Sequence, residues 1–569
     1  NLIREPWMTS GLINSSRKVN KLYKDCYLLD RSHPKYVKYL TFRNTFNKTK
    51  RAAKIKYYED AINESKNDST QTWRILNKLI GKTNNKQEIT SFFKVNGTLT
   101  DDKNLISNGF CNFFSNVGPD LASKIPRANH PHSHYLNNNY PDSIFLAPTT
   151  AAELCQIIKK LRSKKSAGID GISNDLIKKL SSSISEPLSI AINKSMEAGY
   201  VPDTLKIAKI IPVYKSKDKQ VFNNYRPISL LSNISKILEK VIHKRIYSFL
   251  TNKNILYQSQ YGFRSKHSTN LAIAEFLANI YNGFEEHKFT LSLFLDLSKA
   301  FDTIDHAILL KKLNYYGIRG VALEWMSSYL TGRKQFVDFK GVQSAQQNVT
   351  CGVPQGSVLG PLLFIIYMND LNYTLTHCGG ILFADDTTIY YTNENIDNLF
   401  DNLNSDLVQV TDWFQANKLS LNTTKTNYVL IHNVVQEVPL HNHKVYIAGT
   451  EIKEVEEAPF LGLIIDKNLQ WQTHIGSVKS KLSKSLYILR QVRNILPTHI
   501  LRTLYYSLIY SKLQYGIMHW GTKATFNYNL EQIVAKQEKA ICIINKKKIT
   551  KRNSHLFAAA KVLKFDDIV

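Results

Sequence analysis

Two adjacent carboxylates, Asp385 and Asp386, follow Phe383 and Ala384 between two short apolar runs, Gly379 to Leu382 and Thr387 to Tyr391. Runs of this length around a polar pair predict a β-hairpin with both acids at its tip. No other feature constrains the chain as much. Strands pack through apolar side chains, and like charges at a tight turn repel unless a cation lies between them. Hard divalent ions such as Mg²⁺ take carboxylate oxygens. The competing reading is an ordinary turn, since Asp is a common turn former. Period-two geometry groups Asp385 with Ile381 and Phe383 and sends Asp386 to the other side unless the turn rotates it. Asp385 is therefore the expected ligand of the two.

The 569-residue length exceeds one ordinary core, so about two to four domains are expected. A hydrophobic content of 43% excludes a disordered chain, and a formal charge of +28, spread along the whole length, implies polyanionic partners. Nucleic acid comes first among these and anionic membrane second. The longest apolar run, Pro361 to Met368, falls short of the roughly 20 residues that span a bilayer, and no secretory signal opens the chain. Six scattered cysteines form no C-x-x-C pair, which suggests neither a zinc site nor a disulfide framework and fits a reducing compartment. The chain starts at Asn1 and ends on Asp-Asp-Ile-Val within a helical pattern, so a fragment of a longer product is expected.

Residues 16–62 are helical in pattern and dense in Lys and Arg, which reads either as a solvated face or as a phosphate-binding one. Residues 126–148, with four prolines and a His/Asn-rich middle, read as a linker. Lys209 to Tyr214 is strand-like, and Ser232 to Tyr247 an amphipathic helix. Phe289 to Asp296 alternates, with Leu291, Leu293 and Leu295 on one face and Ser292, Phe294 and Asp296 on the other. A helix is expected from an Asp302 N-cap to Gly317. Phe460 to Ile465 reads as a strand, and Ile475 to Val492 as a basic amphipathic helix.

Two-metal phosphoryl transfer needs carboxylates from separate strands converging on ions about 3.5–4 Å apart. Asp296, at the end of one strand, and Asp385, at a hairpin tip, are placed to supply them. A strand-end Asp capping a helix is the alternative for Asp296. Between them lies Gly352-Val353-Pro354-Gln355-Gly356-Ser357-Val358-Leu359-Gly360-Pro361, a glycine-rich approach to a helix. It either cradles phosphate at the helix N-terminus or is a plain loop-to-helix junction; no Gly-Lys-Ser/Thr makes it a Walker loop.

Leu295-Asp296-Leu297-Ser298-Lys299-Ala300-Phe301-Asp302, then Gly352 to Ser357, then Phe383 to Asp386 resemble motifs A, B and C of reverse transcriptases, in the form found in non-LTR (LINE-type) retrotransposons, jockey-like elements above all. Ser166 to Ile172 resembles the extra N-terminal motif of that group. Asn224 to Ser229 and Gln260 to Arg264 resemble its fingers motifs, Asn417 to Asn422 with Lys425 its motif D, and Phe460 to Gly462 its primer grip. The likeness runs from about 150 to 525, and the segment before it resembles the basic linker of such elements.

The resemblance implies an α+β, right-hand polymerase with fingers, an antiparallel-sheet palm and a thumb. Its expected parts are a basic helical N-terminal extension (1–125), a linker (126–148), fingers and palm (149–440), a thumb (441–525) and a truncated basic C-terminal segment (526–569). It implies RNA-directed DNA synthesis from a DNA 3′-end, as in target-primed retrotransposition. Asp296 and Asp385, assisted by Asp386, would hold two Mg²⁺ ions, with Mn²⁺ as the substitute. Phe301 falls at the steric gate against a ribose 2′-hydroxyl; its other role is a core aromatic. Arg226, Arg264 and Lys215 would meet the triphosphate, and Gln355 and Gly356 the nascent base pair and template. Lys425 would protonate the leaving pyrophosphate, or is simply a surface lysine.

The implied partners are an RNA template (the element's own RNA), a DNA primer or target and dNTPs, with no membrane. A ribonucleoprotein of nucleus and cytoplasm is the implied location. Nothing here resembles the endonuclease such elements encode, which would lie before residue 1, and there is no Cys/His knuckle. Two alternatives stay open. One is a group II intron-type reverse transcriptase with maturase activity, against which the 16–62 extension and Phe383 count. The other is a non-catalytic RNA-binding relic, against which the intact Asp296, Asp385 and Asp386 count.

Overall fold

The Phe289–Leu295 strand holds the larger unit of the chain together. Leu291, Leu293 and Leu295 enter the main core, as alternation predicts. The opposite face is buried as well. Thr290 and Ser292 are fully buried, and Phe294 lies 6.1 Å from Phe276 of the Thr269–Glu285 helix, which covers that side. A strand covered on both faces does not need a polar one.

The computed structural model describes residues 5–65, 68–80, 90–163, 166–521, 528–547 and 554–568. They fall into two compact units, Ile89–Leu469 and Asn1–Glu88 together with Gln470–Val569. In the first, the central strand is flanked antiparallel by Asp386–Asn393 and Asn427–Ile431, so that Phe294 faces Thr388 on one side and Asn427 on the other. Gly379–Phe383 extends the sheet beyond the first neighbour; Thr450–Glu454 and then Val445–Ile447 extend it beyond the second. These last two strands thus go with the sheet, not with the helices after Leu469. The Ile396–Ala416 helix buries Leu399, Leu403, Leu407, Val410 and Trp413 beneath it, a stripe at helical spacing.

Under the same core lies a buried ion pair. Lys312 Nζ is 2.6 Å from Asp370 Oδ1, with both side chains inaccessible to water. It also donates to the Tyr367 carbonyl at 2.7 Å, and Trp413 Nε1 donates to Asp370 Oδ2 at 3.1 Å. Each charge is paired and hydrogen-bonded, the condition under which burial of ions is tolerated.

A second sheet runs Tyr225–Leu230, Ile207–Tyr214, Lys334–Phe339, Val342–Gln343, with Gln347–Asn348 also on the third strand. The Lys103–Ala122 helix packs on it through Ile106, Phe110 and Phe114, joined by Phe93. Residues 126–148, expected as a linker, are pinned. The Asp412 carboxylate accepts from the Asn129 and His130 N–H groups and from the Tyr135 hydroxyl at 2.6 Å, and Arg319 donates to the carbonyls of Tyr140, Pro141 and Asp142. The segment is a strap across the unit, held by polar bonds that its composition does not advertise.

Two further readings need correction. Asp302 does not cap a helix: it lies in a short 3₁₀ turn, Ala300–Asp302, and the helix is His306–Tyr315, capped by Asp305, which accepts from the Ile308 N–H at 3.0 Å. The local cue is the same for both acids. Phe460 to Ile465 is not one strand but the bend of a hairpin, Glu457–Phe460 with Leu463–Asp466, because Leu461 and Gly462 take φ of 44° and 93°.

The second unit is helical. Gln472–Val492 buries Ile475, Val478, Leu482, Leu486 and Leu489, the stripe expected from sequence, and packs against Tyr528–Ile544. Ser10–Lys24 and Pro34–Glu64 pair as a helical hairpin. No helix among the described residues is long and apolar enough to cross a membrane.

Candidate active site

The hairpin is as the sequence predicts: Gly379–Phe383 and Asp386–Asn393 pair with Asp386 opposite Phe383, leaving Ala384 and Asp385 as the turn. Ala384 adopts φ of 60°, a left-handed conformation costly for a residue with a Cβ and held here by its surroundings. Gln260 Oε1 accepts from the Gly262 N–H at 2.8 Å and the Ala384 N–H at 3.3 Å, while the Tyr261 N–H donates to the Leu382 carbonyl at 2.7 Å. A Cβ on Gly262 would stand 2.2 Å from the Ala384 nitrogen, so only glycine lets this segment seat the turn.

Asp296 follows the last residue of the central strand. Its N–H donates to Thr426 Oγ1 at 3.2 Å, and its carbonyl accepts from the Asn422 N–H at 2.9 Å. The loop before Asn427–Ile431 thereby grips the strand end and places Lys425, whose Nζ lies 3.0 Å from Asp296 Oδ2. The two tips stand side by side because their strands are neighbours in the sheet, Thr387 opposite Leu295.

The electrostatics follows from that placement. The Asp386 carboxyl keeps solvent contact but is pushed above the usual carboxylate range, first by burial of its inner side and then by the charges of Asp385 and Asp296. Three acids thus share one field, and among the described residues Lys425, on Asp296, is the only cation paired with any of them. Hard oxygen donors that repel one another, with an ammonium standing where positive charge is wanted, fit divalent metal ions by donor chemistry. Among the described residues no three such side chains are gathered into a ready-made cage.

Lys299, given no role from sequence, lies in this neighbourhood. It has φ of 52°, and its ammonium donates to the carbonyls of Asn223 and Tyr225 at 3.1 and 3.4 Å. Burial lowers its pKa; Asp302 acts to raise it, and Lys215 and Arg226 lower it further. Lys215 and Arg226, both exposed, are therefore within electrostatic reach of Lys299. Arg264 stands apart from this group. Its Nη1 donates to the carbonyls of Tyr257, Gln258 and Gln260 at 2.6, 3.2 and 3.2 Å, bracing the loop that seats the hairpin.

Phe301 stacks on Phe364, with ring centroids 4.5 Å apart, and meets Phe263 edge-on. It is half-buried, with one side toward solvent. Gln355 donates its amide to Asp302 Oδ1 at 2.8 Å, and its carbonyl accepts from the Ser229 N–H at 2.8 Å. Gly356 has φ of 124°, and a Cβ there would lie 2.7 Å from the Ser229 carbonyl oxygen. The glycines thus serve a close packing of loop on strand. The phosphate-cradle reading of the helix start fails, because the fully buried Glu239 carboxylate already accepts from the Val358 and Leu359 N–H groups. That carboxyl lies over a hundred residues away in sequence, with no local signal. A plain junction, the alternative, is what stands there.

The family "Reverse transcriptase (RNA-dependent DNA polymerase)" matches residues 215–465. A probable RNA-directed DNA polymerase from transposon BS of Drosophila melanogaster is 29% identical over 69% of this chain and 44% of its own length. One from transposon X-element of the same species is 28% identical over 76% and 48%. The RNA-directed DNA polymerase from mobile element jockey of Drosophila funebris is 29% identical over 67% and 42%. The chain spans less than half the length of these relatives. Residues 215–465 thus match the reverse transcriptase family, and the chain is similar to the RNA-directed DNA polymerases of these transposons and of the mobile element jockey.

Proposed function

We propose that this chain is an RNA-directed DNA polymerase that extends a DNA 3′-end on an RNA template, the element's own RNA, during target-primed retrotransposition. One observation carries the reading: Asp296, Asp385 and Asp386, at the ends of neighbouring antiparallel strands, share one electrostatic field. In this reading the six-stranded sheet is the palm, the second sheet the fingers and the helices from Gln472 the thumb.

Asp296 and Asp385, assisted by Asp386, would hold two Mg²⁺ ions, which when bound lower the pKa of the primer hydroxyl and neutralise charge on the transferring phosphate. The chain's own residues do the positioning. Lys215, Arg226 and Lys299 attract the triphosphate to the face of the second sheet beside Asp302. Phe301, braced by Phe364, offers a rigid ring beneath the sugar. Gln355 and Gly356, fixed on Ser229, bear on the nascent pair and template. Lys425, hydrogen-bonded to Asp296, holds a proton within reach of the leaving pyrophosphate. Arg264 acts through the loop it braces. A location in a nuclear and cytoplasmic ribonucleoprotein follows from the same reading.

Primer extension on an RNA template with Mg²⁺ tests it, comparing wild type with Asp385→Ala. The expected result is product from wild type alone. No wild-type product favours the RNA-binding relic, and extension by the variant overturns the site assignment.

A further inference from the structure

The helical hairpin of Ser10–Lys24 and Pro34–Glu64 carries a charge imbalance that the catalytic residues do not use. Residues 17–56 hold thirteen Lys and Arg against two Asp. Among the described residues none of these cations forms an ion pair; Lys18, Arg43, Lys50 and Lys54 lie instead over aromatic rings. Unneutralised like charges at this density cost stability and persist where a polyanion binds.

The aromatic content narrows the partner. At the closed end of the hairpin, Tyr23, Tyr27, Tyr36 and Tyr39 form a chain of ring contacts, with Tyr23 5.4 Å from Tyr39 and 6.3 Å from Tyr27. Tyr39 is buried as the anchor, while Tyr23 and Tyr27 are 51% and 59% exposed. Lys24, Lys35 and Lys38, close to them in sequence, are exposed as well. Rings held rigid from behind and open in front are platforms on which unpaired bases stack, with lysines to follow the backbone. A duplex keeps its bases stacked inside and offers such rings nothing.

We propose that this end of the hairpin binds single-stranded nucleic acid by base stacking on Tyr23 and Tyr27. An anionic membrane fits less well. A helix lying on a bilayer separates an apolar face from a basic one. Here the cations of Pro34–Glu64 stand at positions 35, 38, 43, 48, 50, 51, 54 and 56, which at about 100° per residue reach every quadrant of the helix. None of these residues is among those assigned to the polymerase site.

The test uses the full chain and fluorescence anisotropy with oligo-uridine and oligo-thymidine of about twenty nucleotides, a duplex of the same length, and phosphatidylserine vesicles. Tyr23→Ala with Tyr27→Ala should weaken single-strand binding about tenfold or more and leave duplex binding unchanged. Equal losses on the two oligomers assign the site to single strands in general, and a loss confined to one assigns it to that sugar; both support the proposal. Crosslinking of 4-thiouridine RNA to wild type, mapped by mass spectrometry, should mark residues 18–39. Unchanged single-strand affinity, an equal loss on duplex, or vesicle binding that falls with the tyrosines while RNA binding does not would overturn it. Extension of a pre-annealed primer should be unaffected by the variant, so failure here leaves the polymerase reading untouched.

Discussion

The Asp302 carboxylate accepts the side-chain amide of Gln355 at 2.8 Å, and this bond fastens the turn carrying Phe301 to the glycine-rich loop. Gly352 lets the two approach, since a Cβ there would lie 2.8 Å from the Asp302 carbonyl oxygen. Phe301 and Gln355 are thus parts of one braced structure, and changes at Asp302 reach both.

Burial pushes the Asp302 carboxyl up to about 6, against the pull of Gln355 and Lys299. Above its ordinary value of 3.8 the unfolded chain releases this proton while the folded chain retains it. The group's contribution is therefore fully present below about pH 4 and is lost as pH rises through about 6. Urea midpoints of wild type and Asp302→Asn should show wild type losing ground by about 1–3 kcal/mol between these limits. A difference that does not change with pH would remove Asp302 from this role.

The acids at the hairpin tip oppose one another in the metal-free protein. Asp386→Asn should raise stability in EDTA by a few tenths to about 1 kcal/mol after solvent screening, while lowering primer extension. Asp385→Asn should lower extension further, by about a thousandfold, as the principal ligand. Equal activity losses would end the distinction between the two carboxylates.

Phe301→Ala removes a ring stacked on Phe364. A half-buried aromatic should cost about 1–3 kcal/mol, less than a fully buried one. Ribonucleotide incorporation should rise at the same time; unchanged sugar selectivity with lowered stability would leave Phe301 as packing alone.

Lys312→Met strands Asp370 in the core without its partner. A loss of about 3–5 kcal/mol is expected by urea denaturation. Adding Asp370→Asn, which keeps an acceptor for Trp413 Nε1, should recover much of it. A purely additive double variant would show that the pair is not energetically coupled.

The strands that carry the acids, and the Gln472–Val492 helix, could be read in advance because their signals are local: apolar runs around two acids, alternation up to Asp296, and a helical stripe from Ile475. What escaped came from elsewhere in the chain. Phe276, from a separate helix, supplies the cover for the second face of the central strand, and Glu239 fills the helix start that looked open. Lys299 stands in its motif as one more surface lysine; only the fold brings the Asn223 and Tyr225 carbonyls to it. Asp302 and Asp305 carry the same cap signal three residues apart, and packing chooses between them.

The central strand Phe289–Leu295 takes both its neighbours from later sequence, Asp386–Asn393 on one side and Asn427–Ile431 on the other. During synthesis it leaves the ribosome with two bare edges and waits for about a hundred residues before one is closed, then some forty more before the other is. Any product that stops short of Ile431 keeps one edge open for good. Such products should aggregate or be degraded, so that intact translation becomes a condition for carrying Asp296 at all.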